Sequence, residues 1–557
     1  MSLAAASVIV SAQPIGAPWW YHADADATYA ASALNLAAGD HVVFLGHPGL
    51  PLQEGLAAAF LLEYAGERVT GDPGSIREFV DGRLSDLDRT RVIFRGLGII
   101  SYLVGAVVLC LAAARVAGSW TLGAAGGLLW VGAPNLAPMS IQYRPDVAFA
   151  VGVVCAGLLL GRAATARSVG ALAAAAAVIG FAVTVKAHAL GLLLPLAVIA
   201  ALRPPRRLGI RETLTTVGLQ LRRHRTLAAL VIGLWATAAA VLNRGQVYVV
   251  TTAEAVTAVA LMLGVAAISL AWLERAPRAV RVTAVVISSF CCGLLVSASF
   301  AIHDGIAGIA EVARTATGGG VNANEGVEAG NVRALFEPLL RQMTLLFALA
   351  GVAAAIGWRR GDVRPAVWFA SATVLGGMAL GRLGTPHYFA PTFVLSVLGV
   401  LWLCSRLGRI AGVILAAALA VWIVGVQFRY RDGSADALAS MRATAGPVYQ
   451  RELGRLADDS VILTPSQHIY LPVPDTHYFE FVRPYVVRTS KARYRTLPAT
   501  SDAARFALAL GLDVEDYVGP KTSSLTEAAM ARLAVGETPI VQPIRRRELG
   551  YLAGSGE

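Results

Sequence analysis

Two acids, Asp24 and Asp26, stand one residue apart in the stretch Tyr21-His22-Ala23-Asp24-Ala25-Asp26, a short way ahead of His47-Pro48-Gly49. In an otherwise apolar chain, such carboxylates can take a proton from a hydroxyl, cap a helix, or ligate a hard cation. Further polar groups recur at wide spacing: Gln142-Tyr143-Arg144-Pro145-Asp146, Lys186 with His188, His303-Asp304, and Arg382 with His387-Tyr388. Lys186 and His188 are the only ionisable residues between Ser168 and Leu202, so the lysine either faces an anion or snorkels to the membrane edge. Arg382 has the same two readings, phosphate contact or interface anchor. A carboxylate opposite a set of cations suits a general base working beside an anionic leaving group.

Each residue also has a purely structural reading. Asp24 or Asp26 can cap a helix over Ala27 to Ala38, and His47-Pro48-Gly49 can be the turn that starts a helix from Leu50 to Tyr64. Pro145 fits the first turn of a helix, and Asp146 beside it is favoured by the helix dipole, which makes a structural role the preferred one for Asp146.

The elements that must position these residues are membrane helices. Of the 557 residues, 56% are hydrophobic and only 15% charged, which excludes a set of water-soluble domains. Apolar runs fall near 3–20, 96–114, 118–138, 145–161, 168–185, 187–202, 226–242, 255–273, 282–302, 342–357, 365–381, 388–404 and 410–426, predicting about thirteen transmembrane helices. Ten-residue alternating strands of a β-barrel do not occur. The run at 3–20 is short and lacks a leading positive residue, so a cleaved leader is its alternative. The cysteines Cys110, Cys155, Cys291, Cys292 and Cys404 lie inside apolar runs and show neither a disulfide framework nor metal-ligand spacing.

The net charge of +11 resides in short loops and reports orientation rather than a nucleic-acid partner. With the N-terminus in the cytoplasm, the inside connections hold 18 arginines against Glu212, Glu274 and Asp362. The positive-inside rule then places 21–95, the turn at 186–188, 303–341, 382–387 and everything after 426 outside. This predicts a transmembrane domain over 1–426, with 21–95 as its first outer loop, and a small extracytoplasmic α/β or α+β domain over 427–557. In that tail, 435–457 has a helical pattern and Ser460-Val461-Ile462-Leu463 reads as a strand. The segment from His303 to Arg341, with Gly318-Gly319-Gly320, reads as a mobile lid or as disorder.

In this setting the motifs look familiar. Asp24-Ala25-Asp26-Ala27-Thr28-Tyr29, Ala33 to Asp40, and His47-Pro48-Gly49-Leu50-Pro51-Leu52 resemble the first outer loop of membrane-embedded GT-C glycosyltransferases. That class includes the protein O-mannosyltransferases, the 4-amino-arabinose lipid A transferases and the lipopolysaccharide-core transferases of rhizobia. Tyr143-Arg144-Pro145-Asp146 is similar to the R-x-D start of their fourth helix, Thr184-Val185-Lys186 to their T-K, and His387-Tyr388-Phe389-Ala390-Pro391 to their H-Y-x-x-P.

The resemblance implies a GT-C-like fold and an inverting transferase in a bacterial cytoplasmic membrane, which passes a sugar from a polyprenyl-phosphate donor to an envelope acceptor on the outer face. A first-loop Asp would be the general base. Counting back from Gly39-Asp40 selects Asp24, while counting back from Tyr29 favours Asp26; Ala25 interrupts the Asp-Glu pair common in relatives. Lys186, Arg382 and Arg144 would hold the donor phosphate, and His47, His188, His387 and Tyr388 the sugar or acceptor. No cofactor is required by this reading; Asp24 and Asp26 leave a divalent metal open. The alternatives are a flippase for a lipid-linked sugar, whose charges would mark a path across the membrane, and a non-catalytic envelope assembly protein indifferent to Asp24 and Asp26.

Overall fold

The computed structural model describes residues 4, 6–7, 26–42, 49–71, 74–85, 87–205, 225–245, 251–271, 276–316, 329–380, 386–426, 462–464 and 494–496. The chain divides into two compact units: Met1–Gln13, Leu45–Ala59 and Arg95–Arg429 form one, and Pro14–Phe44, Phe60–Phe94 and Tyr430–Glu557 the other. The helices, in order, are α1 (Asp26–Ala38), α2 (Leu50–Thr70), α3 (Ile76–Ser85), α4 (Leu87–Ala117), α5 (Trp120–Val131), α6 (Leu136–Ile141), α7 (Pro145–Ala166), α8 (Val169–Val185) and α9 (Leu193–Leu202). There follow α10 (Arg225–Leu242), α11 (Thr252–Ala271), α12 (Arg278–Ala298), α13 (Ile302–Ala316), α14 (Ala329–Arg359), α15 (Arg364–Leu380), α16 (Ala390–Cys404) and α17 (Arg409–Val426).

The first unit is a helical bundle centred on α16, whose every residue is buried. α7, α14 and α15 pack against it. Trp368 of α15 donates its indole N–H to the Gly157 carbonyl of α7 at 2.8 Å, a pairing a buried indole needs. α8 and α12 run so close that a Cβ at Gly180 would meet the Phe290 carbonyl, and one at Gly293 the Ala177 carbonyl. Small residues at such crossings let two apolar helices approach backbone to backbone. At one end of the bundle, Arg364 and Trp402 both bond Asp362 in the turn between α14 and α15, with Arg364 Nη2 at 2.6 Å and Trp402 Nε1 at 2.9 Å.

α10 and α11 expose Leu230, Leu234, Val256, Val259, Met262 and Leu263. Apolar side chains on the outside of helices whose backbone groups are satisfied internally suit hydrocarbon rather than water. Among the described residues, five helices are long and apolar enough to cross a membrane: Thr90–Ala117, Pro145–Ala166, Arg278–Ala298, His387–Cys404 and Arg409–Val426. The chain is a mostly helical, multi-pass membrane protein.

Helices occupy the expected apolar runs downstream of residue 95, with local departures. The run at 118–138 is broken: α5 ends at Val131, and after Asn135, which takes a left-handed φ of 55°, α6 begins. Gly132, Pro134 and Asn135 are the interrupting residues, in keeping with their turn preferences. The segment from His303 to Arg341, read from the sequence as a mobile lid or as disorder, contains α13 and the first turns of α14, and Ile302–Ala316 carries an apolar stripe at helical spacing; Gly318 to Gly320 lie outside the described residues. The first apolar run is described only at Ala4, Ala6 and Ser7.

In the second unit, Arg83 of α3 bridges Glu63 and Glu67 of α2 at 2.8 and 2.7 Å. Also there, Ile462–Thr464 pairs in parallel with Tyr494–Thr496, so a strand does form beside the expected Ser460 to Leu463. The expected helix at 435–457 lies outside the described residues.

Candidate functional site

The turn before α7 sets the site. A residue preceding proline is pushed out of the helical region, and Arg144, ahead of Pro145, is extended at φ −76°, ψ 153°. Tyr143 takes a left-handed φ of 46°, rare for a non-glycine residue and found where surrounding structure holds it. A Cβ at Gly98 of α4 would strike the Ser140 carbonyl, so only glycine lets α4 lie against this turn. With its backbone so fixed, the turn delivers Arg144 and Asp146 into the bundle, where they are 6% and 1% exposed.

Two more chain segments end at the same place. α8 stops at Val185, and Lys186, its C-cap, turns extended at φ −158° before a 3₁₀ turn over Ala187–Leu192. A second 3₁₀ turn, Pro386–Phe389, precedes α16 and carries His387 and Tyr388. Lys186 Nζ donates to Asp146 Oδ1. Arg144 Nε lies 3.5 Å from Asp146 Oδ2, and His387 Nε2 lies 3.8 Å from Asp146 Oδ1. The Lys186 ammonium also sits 4.0 Å from the centre of the Tyr388 ring, a cation–π contact. Tyr388 in turn stands 4.7 Å from the His387 ring and 5.0 Å from the His188 ring.

Lys186, Arg144, His387, Tyr388 and His188, scattered over more than two hundred residues, are thus brought together. Lys186 is 4% exposed and paired, so it does not snorkel. Asp146 stands in the first turn of α7, as its place after Pro145 leads one to expect, and its carboxylate also accepts from Lys186; the α7 N-cap, Arg144, makes no side-chain capping bond. Among the described residues the cluster gathers a lysine, an arginine and an imidazole around the Asp146 carboxylate, a donor set of the kind that can take an anion.

The start of α2 docks beside this cluster. Gly49 N–H donates to the Thr184 carbonyl at 3.1 Å, and Gly55 lies against the Tyr143 hydroxyl. This brings in a residue that the sequence reading passed over, Glu54, which is 2% exposed and whose two oxygens have no hydrogen-bond partner among the described residues. Burial, with the Asp304 carboxylate adding to it, pushes the Glu54 carboxyl well above the usual carboxylate range. The available signal was an acid inside the apolar run Leu50-Pro51-Leu52-Gln53-Glu54-Gly55-Leu56-Ala57-Ala58-Ala59-Phe60. Asp304, at the start of α13, contacts His303, whose other ring nitrogen lies 3.5 Å from Glu254 of α11.

Of the remaining sequence candidates, Asp24, His47 and Arg382 lie outside the described residues. Asp26 begins α1, and its side chain is outside them as well. A metal bound by Asp24 and Asp26 therefore rests on the sequence alone.

No family model matches the chain, and neither does any curated protein. Two solved structures are similar: ArnT from Cupriavidus metallidurans bound to undecaprenyl phosphate, at 16% identity and a TM-score of 0.26, with 87% of each chain covered; and the same protein in the apo state, at 16% identity and a TM-score of 0.25, with 87% of this chain and 88% of that one covered. At that depth of likeness, the functional reading stands on the site itself.

Proposed function

We propose that this protein is an inverting glycosyltransferase of GT-C type, which moves a sugar from a polyprenyl-phosphate donor to an envelope lipid, glycan or protein on the outer face of a bacterial cytoplasmic membrane. The observation that carries the reading is the buried cluster itself: Lys186, Arg144 and His387, from three separate chain segments, converge on Asp146 beside the Tyr388 ring. Cationic and imidazole donors gathered among apolar helices suit a phosphate at the head of a lipid chain, an anion that arrives through the membrane edge.

In this reading Lys186 and Arg144 hold the donor phosphate, and Arg382 joins them from the loop before His387. Asp146 acts as the positioning carboxylate, keeping the Lys186 ammonium aimed in the absence of donor. Tyr388 and His188 wall the sugar, and His47, two residues before the docked Gly49, contacts sugar or acceptor. Asp24 or Asp26 removes the acceptor proton as the bond from sugar to phosphate breaks, while the cations stabilise the charge gathering on the leaving oxygen. If the two acids also hold a divalent cation, it would add to that stabilisation. About thirteen spans with the N-terminus inside put all these groups on one face, and the tail from 427 onward forms an extracytoplasmic domain.

The test is transfer from a polyprenyl-phosphate sugar to envelope acceptors by the purified, reconstituted protein. Lys186→Ala and the Asp24→Ala, Asp26→Ala double variant, each confirmed as folded, should lose transfer. Full activity in the double variant would remove the proposed base. A wild type that moves the lipid-linked sugar across the bilayer without transferring it would establish the flippase instead.

A further inference from the structure

The turn that aims Arg144 closes α6 with a tyrosine where glycine is the usual residue. Arg144 N–H donates to the Met139 carbonyl at 3.1 Å, and Tyr143 N–H to the Ser140 carbonyl at 2.9 Å. Together these bonds make a Schellman close, whose left-handed position favours glycine because a Cβ is penalised there. Tyr143 occupies that position at φ 46°. The Ser140 carbonyl is also the group that a Cβ at Gly98 would strike, so the close is wedged against α4. A bulky residue persists in such a conformation only where its surroundings hold it.

The Tyr143 side chain reaches the start of α2. It is buried, and a Cβ at Gly55 would come 3.1 Å from its Oη. Gly55 itself is exposed, so this contact lies at an opening rather than deep in the packing. The same stretch of α2 is tied at its first turn, where Gly49 N–H donates to the Thr184 carbonyl at 3.1 Å. Thr184 stands two residues before Lys186, and Tyr143 one before Arg144. α2 is thus fastened, at Gly49 and at Gly55, to both chain segments that bring cations to Asp146.

We propose that Tyr143 is a positioning residue for transfer, whose backbone aims Arg144 at the donor phosphate and whose hydroxyl seats the first turns of α2 beside it. This rests on the polyprenyl-phosphate reading of the site. His47, the sugar or acceptor contact of that reading, lies two residues before Gly49. The acceptor side of the reaction therefore enters through a segment that Tyr143 holds against the donor side. In this role Tyr143 touches neither reactant; it sets the distance between groups that do, and a misplacement of about 1 Å can cost about 10²-fold in rate.

The experiment uses the full-length protein in proteoliposomes, with a polyprenyl monophosphate as binding probe and a panel of polyprenyl-phosphate hexoses and pentoses as donors. Tyr143→Phe keeps the ring and removes the hydroxyl. It should lower kcat about tenfold, while the monophosphate Kd and the melting temperature stay close to wild type. Gly55→Ala, which pushes a methyl group onto that hydroxyl, should lower kcat by a similar factor. Added to Tyr143→Phe, it should cost less than a further factor of about two, since its clash has gone. Losses that multiply in the double variant overturn the proposal, as does a wild-type rate in either single variant. So does a Tyr143→Phe loss confined to a weaker Kd, or one that follows a fall in melting temperature, because the hydroxyl would then be a ligand contact or a packing group. If the wild type fails to bind the monophosphate or to turn over any donor, the polyprenyl-phosphate reading itself fails; if it does both and Tyr143→Phe is unimpaired, this inference alone does.

Discussion

Arg83 and Lys186 are both buried cations held by carboxylates, and they differ in who outnumbers whom. Arg83 uses its planar fork on two acids: Nε and Nη2 donate to Glu63 at 3.0 and 2.8 Å, and Nη2 also donates to Glu67 at 2.7 Å, with the Phe79 ring 4.5 Å from the guanidinium carbon. Glu63 and Glu67, one turn apart on α2, form a ready seat for it. Around Asp146, among the described residues, the ratio is reversed, and apart from the Lys186 hydrogen bond the contacts stretch to 3.5 and 3.8 Å. The first cluster holds its cation in a planar fork and acts as a lock. The second gathers several donors on one carboxylate through longer contacts, an arrangement that a ligand can enter.

Substitutions separate the two. Lys186→Ala should reduce sugar transfer by about 10²- to 10³-fold, the scale of losing a preorganised charge at a developing anion, measured on the folded fraction because the change also leaves the buried Asp146 carboxylate with only its longer contacts. Initial rates and a thermal melt on the same preparation decide it. Arg83→Ala should lower stability by about 1–3 kcal/mol because it leaves two half-buried carboxylates one turn apart without their cation, while the folded fraction retains its rate. If Arg83→Ala removed activity without loss of stability, the division between lock and site would be wrong.

Gly98→Ala probes the same division from the backbone side. A Cβ there meets the Ser140 carbonyl, so α4 must shift away from the Tyr143 turn, costing about 1–3 kcal/mol and disturbing Arg144 as well. Chemical denaturation together with transfer rates should show both losses at once. Arg144→Lys, which keeps the charge but not the fork, should cost about tenfold in transfer and leave stability unchanged.

The smallest effect concerns Glu54. Its folded carboxyl titrates above its unfolded value, so the folded state binds a proton that the unfolded state has released. Stability from this group is therefore greatest below the ordinary glutamate range near pH 4.3 and declines as pH rises toward the folded value. Glu54→Gln removes that decline. Melts from pH 4 to pH 8 should show the variant gaining on the wild type as pH increases; a constant gap would contradict a neutral Glu54.

Lys186, Arg144, His387 and Tyr388 were visible in the sequence because an ionisable residue in an apolar helix, or at its edge, demands a reason. Their partner was not. Asp146 lies one residue after Pro145, where capping and dipole effects already account for an acid, and its bond to Lys186 spans forty residues of chain. Glu54 was hidden for a related reason: an acid in an outer loop reads as solvated until the loop is seen to pack its helix, through Gly49 and Gly55, against Thr184 and Tyr143. The helical bundle was legible from hydropathy, since apolar runs of spanning length fold in one way in a membrane. The break at Gly132 and the 3₁₀ turns at 187 and 386 were not, because they are set by the packing of neighbours.

Whether the Asp146 cluster is an anion site built for a lipid phosphate is decided by equilibrium binding of a polyprenyl monophosphate to the reconstituted protein. Binding by the wild type should be saturable, weakened at least tenfold in Lys186→Met and unaltered in Arg83→Met. Equal affinity in wild type and Lys186→Met would show that the cluster is not that site.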